Sequence, residues 1–416
     1  MHYINIDDKT KRALIRFGLY VVIGFAAIVI TTLLVYALQG YDYDRRQNKI
    51  IRNGLVLVES EPAKADIYIN GKKDNKRTPN RLPLPVGEYN IALKADGYRK
   101  WVHKTTVQPS KISWLHYPTL ITKKISRSKV RNISQASELS LSPNGKYLVA
   151  ITQDNPSMLV VDISSQPYEF SALDLRTLLR KKGKKYGQVE VVEWKDNHVL
   201  LQHKSYPEFA VVDVSDTDDS INLNQITKID WAQFDSTSRL YVIKNRRLRT
   251  LDTSSQKLSS SLGKADMVEL LDSQIVVGID KEIFTFDEEI SDNRITRADS
   301  FKLNKYQGSY YLASKYKDKI SVFRDISKSQ LVADKVLRLD GEMSWSPSGR
   351  FLLVSDGKNN SVYDLEFNTT YDFSLKGEIS WLDDFRLSRV FKDRIYILDY
   401  DGVNTYGITK SDNISP

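Results

Sequence analysis

Hydrophobic and polar positions divide the chain into three stretches with different periods. Phe17 to Leu38 is a run of 22 residues without a charge. As a helix rising about 1.5 Å per residue it reaches roughly 33 Å, enough to cross a bilayer. Tyr20 lies near one end, and Tyr36 and Tyr41 near the other, where interfacial aromatics are expected. From about residue 54 the pattern becomes an alternation. Tyr89, Ile91 and Leu93 alternate with Asn90, Ala92 and Lys94, the period of a half-buried strand. Beyond about residue 134, short aliphatic and aromatic runs recur, such as Tyr147 to Ile151 and Phe351 to Val354. They are rich in β-branched and aromatic residues and bounded by Asp, Asn, Ser and Gly, so they read as strands.

These runs repeat. Seven times, an apolar pair or near-pair precedes a position that is nearly always Asp: Asp162, Asp213, Asp252, Asp287, Arg324, Asp364 and Asp399. The intervals are 51, 39, 35, 37, 40 and 35 residues. A period near 40 with several short strands per unit predicts a β-propeller of seven blades. Most units also carry a large residue early, often Trp, as in Trp194, Trp231, Trp345 and Trp381. A residue that recurs in every repeat serves the repeat. The Asp residues are therefore expected to fix turns through backbone N–H groups, and the Trp residues to pack between blades.

Two turns share one chemistry. Ser142-Pro143-Asn144-Gly145-Lys146 and Ser346-Pro347-Ser348-Gly349-Arg350 place Pro early and Gly late, which suits a tight turn. Both segments resemble the hairpins of TolB-type propellers. The apolar pair with its Asp resembles the end of the third strand in WD40 blades, with Trp replaced. The resemblance spans about residues 131 to 409, and Arg324 departs from it.

The middle stretch has its own signals. Asn70-Gly71 marks a hairpin, Thr78-Pro79 and Pro83 to Gly87 punctuate the next run, and Asp96-Gly97 turns the chain toward Trp101. The segment resembles a PEGA domain through Ser60-Glu61-Pro62, Ala65 to Gly71, Thr78-Pro79, Val86 to Tyr89, Gly97-Tyr98 and Trp101. The naming tetrapeptide reads Pro62-Ala63-Lys64-Ala65 here and lacks its Gly. The resemblance implies a bacterial or archaeal envelope protein. It supplies no ligand, and the module is expected to act as a spacer.

The apolar run is expected to be an uncleaved anchor. A signal peptide would have a shorter apolar region and a better cleavage site than Ala37-Leu38-Gln39. Lys9, Lys11, Arg12 and Arg16 precede the run, and Arg45, Arg46, Lys49 and Arg52 follow it. Arg16 abuts the run directly, which favours the N-terminus inside and the large C-terminal part outside the plasma membrane.

Net charge is +9, with 61 basic against 52 acidic residues. Part of the excess lies in the longest interval, where Leu175, Leu178 and Leu179 could form one face of a short helix. The basic residues around and beyond it, Arg176, Arg180, Lys181, Lys182, Lys184 and Lys185, are the candidate partner-binding residues, suited to an anionic wall polymer or lipid. A solvated surface loop is the plainer expectation. Nucleic acid is a poor partner for an outside domain. There is no Cys, so disulfides and thiolate metal sites are excluded.

The chemistry of a typical enzyme is not visible. The chain lacks a Gly-x-Ser-x-Gly elbow, a phosphate loop and a dinucleotide fingerprint. His198 and His203, five apart in a strand, are expected as surface or packed residues. The acidic groups at 216–219, 383–384 and 399–402 are expected as turns. No catalytic, cofactor or metal residues are assigned.

The expected organisation is all-β apart from one N-terminal transmembrane helix. It comprises a cytoplasmic tail (1–16), the span (17–38), a juxtamembrane linker (39–53), a PEGA-like β domain (54–121), a basic linker (122–133), a seven-bladed propeller (134–409) and a tail (410–416). The expected function is a single-pass envelope protein whose propeller is a binding platform for a protein or wall polymer. The alternatives are a propeller enzyme acting on glycan or peptide, or a ligand-binding sensor working through a membrane partner. The ring is expected to be closed, because an open propeller exposes a strand edge. Its last blade is completed either by the strand near 403–408 alone or by one from about 125–133.

Overall fold

The computed structural model describes residues 8–38, 41–44, 49–109, 111–115, 117–124, 136–152, 157–179, 188–287, 289–326, 333–337, 339–392 and 394–410. The first helix runs Asp8–Leu38. Within it, Arg16–Tyr36 is long and apolar enough to cross a membrane, and none of that window is buried inside the protein. The rest divides into two compact units at Ser126, each built almost wholly of strands.

The first unit contains eight strands: β1 (Tyr41–Asp44), β2 (Lys49–Val58), β3 (Asp66–Ile69), β4 (Lys72–Arg77), β5 (Asn80–Pro85), β6 (Gly87–Lys94), β7 (Trp101–Val107) and β8 (Ile112–Leu115). One sheet runs β1-β2-β5 with β8 parallel to β2, and the other runs β4-β3-β6-β7. Val56 and Val58 of the first sheet share one core with Ile67, Ile91, Leu93 and Trp101 of the second. The Asn70-Gly71 hairpin forms as expected, with φ of 49° and 83°, the positive pair that a two-residue turn demands. The stretch expected as a linker, 39–53, differs from that expectation. It carries β1 and the first half of β2, which pair from Tyr41↔Arg52 to Asp44↔Lys49. Tyr41 and Tyr43 alternate with Asp42 and Asp44 too briefly for a strand to be read there without the pairing.

The second unit consists of seven successive antiparallel sheets, at 136–174, 189–222, 231–264, 267–297, 300–337, 342–374 and 378–410. These are blades 1 to 7. Each is a four-stranded meander, and in blade 3 two short segments both pair with the third strand. The first strands of blades 1 and 2, 2 and 3, 4 and 5, 5 and 6, and 6 and 7 lie side by side, so the first strands form the inner wall of the ring. Apolar clusters fill the spaces between blades 1 and 2, 2 and 3, 3 and 4, 4 and 5, and 5 and 6. Blades 6 and 7 join through aromatic rings, with Phe351 stacked on Tyr400 at 4.5 Å and on Trp381 at 6.0 Å.

The repeated Asp residues close turns. The carboxylates of Asp162, Asp213, Asp252 and Asp364 each accept the backbone N–H two residues on. Asp364 also receives Arg350 of the preceding hairpin in a two-pronged ion pair, and both side chains are nearly or fully buried. Lys146 stands in the same relation to Asp162, at 3.9 Å. The side chain of Asp287 lies outside the described residues.

The last blade is completed by its own strand, Tyr406–Lys410, while residues 125–135 lie outside the described residues. Glu378 of blade 7 lies near enough to Glu138 of blade 1 to help raise its carboxyl. Yet no apolar cluster fills this joint among the described residues, and Leu139 and Leu141 of blade 1 are 64% and 53% exposed. Trp381→Ala should lower stability by about 3 kcal/mol, in the range for deleting a packed aromatic, as read by chemical denaturation. Leu141→Trp should raise the melting temperature by filling the joint. An unchanged or lowered value would show that this joint does not lack a Trp.

Candidate functional site

The inner wall is where chain topology brings polar residues together, and strand register decides which ones. The first strands of blades 1, 6 and 7 end their pairing at Leu141, Trp345 and Trp381. Counting back one residue gives Ser140, Ser344 and Ser380; counting back three gives Glu138, Glu342 and Glu378. Blade 2 has a bulge between Val191 and Glu193, so Glu193 matches Ser140 and Glu190 matches Glu138. In blades 3, 4 and 5 the first of these layers continues as Gln233, Glu269 and Lys302.

This first layer holds the ring together. Ser140, Glu193, Glu269, Lys302 and Ser344 meet the next blade at the neighbouring Trp or its equivalent. The indole of Trp194 donates to the Ser140 hydroxyl at 2.7 Å. The backbone N–H of Phe234 donates to Glu193 Oε2 at 2.9 Å. Glu269 takes the ammonium of Lys302 at 2.7 Å and the N–H of Leu303. The indoles of Trp345 and Trp381 donate to the carbonyls of Lys302 and Ser344. Trp231 is an exception among the expected Trp residues. It begins its strand, opposite Ile243, and packs into the cluster between blades 3 and 4, while Phe234 takes the Trp position.

The second layer is acidic and lies toward the end of the wall where the first strands begin. Glu342, Glu378, Glu138 and Glu190 stand on four consecutive blades: 6, 7, 1 and 2. Glu342 and Glu378 are exposed. Lys204 reaches Glu190 at 3.6 Å and Glu138 at 3.9 Å. Burial raises the Glu138 carboxyl above its ordinary value, Lys204 opposes this, and Glu190 and Glu378 add to it. In the first layer, burial pushes Glu193 up to about 7, with Glu269 contributing, against the N–H of Phe234. Glu269 is raised by burial against its pair with Lys302.

The residues singled out from sequence fall elsewhere. Leu175–Leu178 is one helical turn capped by Asp174. Leu175, Leu178 and Leu179 are buried in the core between blades 1 and 2, so the expected apolar face exists. Arg176 forms an ion pair with Asp174 at 2.7 Å. Arg180, Lys181, Lys182, Lys184 and Lys185 lie outside the described residues. His203 is buried and stacks on Tyr206 at 3.6 Å, while His198 faces Asp213 from the surface at 3.7 Å. The acidic groups form turns: Asp216 caps a short 3-10 helix, Asp383 caps the turn at Arg386, and Asp401 accepts the N–H of Val403. Asp384 goes further and accepts the N–H of Ser348 from blade 6. No group of three or more His, Asp or Glu that could hold a metal occurs among the described residues. The acidic arc was not foreseen. Its signal in sequence was a Glu three residues before Leu141, Trp345 and Trp381, which becomes visible only once the hairpins set the register.

The second unit is therefore a seven-bladed β-propeller, preceded by a small β unit and a helix able to span a membrane. The small unit is a PEGA domain: the family model of that description matches residues 53–119. No curated protein matches the chain. Among solved structures it is similar to Hsv2p of Kluyveromyces lactis, at 14% identity and a TM-score of 0.42 over 64% of this chain and 92% of that one. It is also similar to apo AztD from Citrobacter koseri, at 12% identity and 0.44 over 84% and 96%. A third is the dihydro-heme d1 dehydrogenase NirN in complex with DHE, at 13% identity and 0.44 over 66% and 65%.

The Glu193 carboxyl sets a pH dependence. Its folded value, about 7, exceeds the ordinary 4.5, so the folded state holds the proton more tightly. The contribution to stability is full below the ordinary value and is lost as pH rises through the window to about 7. The wild type minus Glu193→Gln difference in melting temperature should therefore fall across that window and stay flat above it. A difference independent of pH would show that Glu193 titrates normally.

Proposed function

We propose that the chain is a single-pass protein of a bacterial envelope. In this reading the propeller lies outside the membrane as a binding platform for a protein or wall-polymer partner. The observation that carries the reading is the use to which the inner polar layer is put. Ser140, Glu193, Glu269, Lys302 and Ser344 are each engaged with the next blade. The chemistry that recurs in the ring serves assembly, which suits a rigid binding surface better than a reaction centre. The order of helix, PEGA domain and propeller supports anchoring through residues 17–38, with the C-terminal part translocated.

Two surfaces are offered to a partner. The acidic arc of Glu342, Glu378, Glu138 and Glu190 suits basic groups on a protein. The insertion with Arg176, Arg180, Lys181, Lys182, Lys184 and Lys185 suits an anionic wall polymer or lipid. No cofactor is assigned.

Protease shaving of intact cells carrying a C-terminal epitope tag tests the placement, with lysed cells as control. Loss of the tag from intact cells is expected. A tag protected until lysis, in cells whose envelope admits the protease, would put the propeller inside and remove the envelope reading. In the same cells, photo-crosslinkers at Glu342 and Glu378 should capture a protein, and loss of the basic residues at 176–185 should reduce retention on isolated walls. Absence of both effects would overturn the platform reading.

A further inference from the structure

The PEGA domain carries a feature that its spacer role does not need. Beside β3, β6 and the turn after β6 lies a cleft of about 440 Å³, within the usual range of about 300–1,000 Å³ for small-ligand pockets. Its lining includes Lys64, Tyr68, Lys94, Tyr98, Lys100 and Lys123. With Arg77, five cationic side chains face two carboxylates, Asp66 and Asp96. Asp66 is already engaged outside and across the cleft, bonding Lys73 and Arg77 at 2.7 Å each. Those partners hold its carboxyl below the ordinary value despite the opposing effect of burial.

Lys64 is the informative residue. It occupies the Gly position of the tetrapeptide that names the family, yet it keeps the left-handed backbone, with φ of 67°. Gly takes that conformation at no steric cost, whereas a residue with a Cβ does so uncommonly. The turn is held by the backbone bond from Lys64 N–H to the Thr78 carbonyl at 2.7 Å, and by Ala65 N–H to the Thr78 hydroxyl at 2.9 Å. A strained backbone persists where the surroundings over-determine it, and such positions cluster at ligand sites. Here the strain places an ammonium group on the cleft. From the opposite side, Lys123 is positioned by its N–H bond to the Gly97 carbonyl at 2.8 Å, next to the Tyr98↔Thr122 bridge. Lys94 sits over the Tyr68 ring at 4.2 Å, which keeps its charge at the rim. Neither Lys64 nor Lys123 has a carboxylate partner among the described residues.

We propose that this cleft binds a phosphate-bearing polymer of the cell surface, of the polyol-phosphate or sugar-phosphate type. Arg77 is taken up by Asp66, so Lys64 and Lys123 are the cations the cleft offers to a ligand. Lysine ammonium groups act as separate point charges and suit a tetrahedral phosphate, whereas a planar carboxylate is best met by the arginine fork. The Tyr68 and Tyr98 phenols supply hydroxyls and ring surface beside the charge, as a polyol or sugar requires. The inference concerns the PEGA domain, rests on the outside placement proposed above, and holds whichever face of the propeller binds a partner.

Purified full-length protein in neutral detergent, titrated calorimetrically with poly(glycerol phosphate), tests it. Binding is expected, weakening as salt is raised, with none to neutral dextran. Lys64→Gly restores the family residue and relieves the backbone, so its melting temperature should not fall. Its affinity should drop about fivefold, as for one lost charge contact, and Lys123→Glu should cost more. Unchanged affinity in the double variant would overturn the site. Equal binding of dextran would overturn the phosphate, and binding only to phosphatidylglycerol vesicles would overturn the polymer in favour of a lipid headgroup. Tag protection in the shaving experiment would leave this titration unaffected, so the two readings fail separately.

Discussion

The contact on which the propeller depends is the meeting of first strands at the inner wall. A polar group one residue before the end of one strand meets the indole or backbone N–H at the end of the next. Buried polar groups cost free energy unless they are paired, so each blade is completed by its neighbour. The Trp residues therefore recur for two reasons at once. Their rings fill space between blades, and their N–H groups need an acceptor that the preceding blade supplies. Where Leu141 replaces Trp at the joint between blades 7 and 1, both contributions disappear together. The propeller closes between its first and last blades, where no apolar cluster occurs among the described residues.

The same register that builds the structural layer also builds the acidic one. Residues two apart on a strand face the same way, so a Glu two positions before the structural residue faces the same wall. Four such residues on consecutive blades concentrate negative charge at one end of the wall, partly offset by Lys204. Burial is the main cause of the raised Glu138 carboxyl, and the neighbouring Glu190 and Glu378 add to it. Glu342 and Glu378 are exposed and form no ion pair among the described residues, so they are the members of the arc open to an external contact.

The PEGA domain shows the same economy at smaller scale. Its two sheets enclose one core, and its turns follow the demands of Asn-Gly and of cis proline at Glu61-Pro62 and Thr78-Pro79. Lys64 breaks the local rule. A side chain stands here on a backbone that favours Gly, held by the bonds to Thr78, and its ammonium lines the cleft.

Much of this was legible in the residues. The charge-free run declared a helix able to span a membrane, the alternation around Ile91 declared strands, and the recurring Asp gave seven blades, because period and turn chemistry are local properties of a chain. The buried face of Leu175, Leu178 and Leu179 was legible for the same reason. The equivalence of Trp231 with the other Trp residues was misread, because register depends on where the hairpin turns and not on residue type. The acidic arc, the exposure of Leu139 and Leu141 and the Lys64 cleft could not be read from sequence at all. They arise when segments far apart in the chain are brought side by side, and only the tertiary structure decides which charges become neighbours.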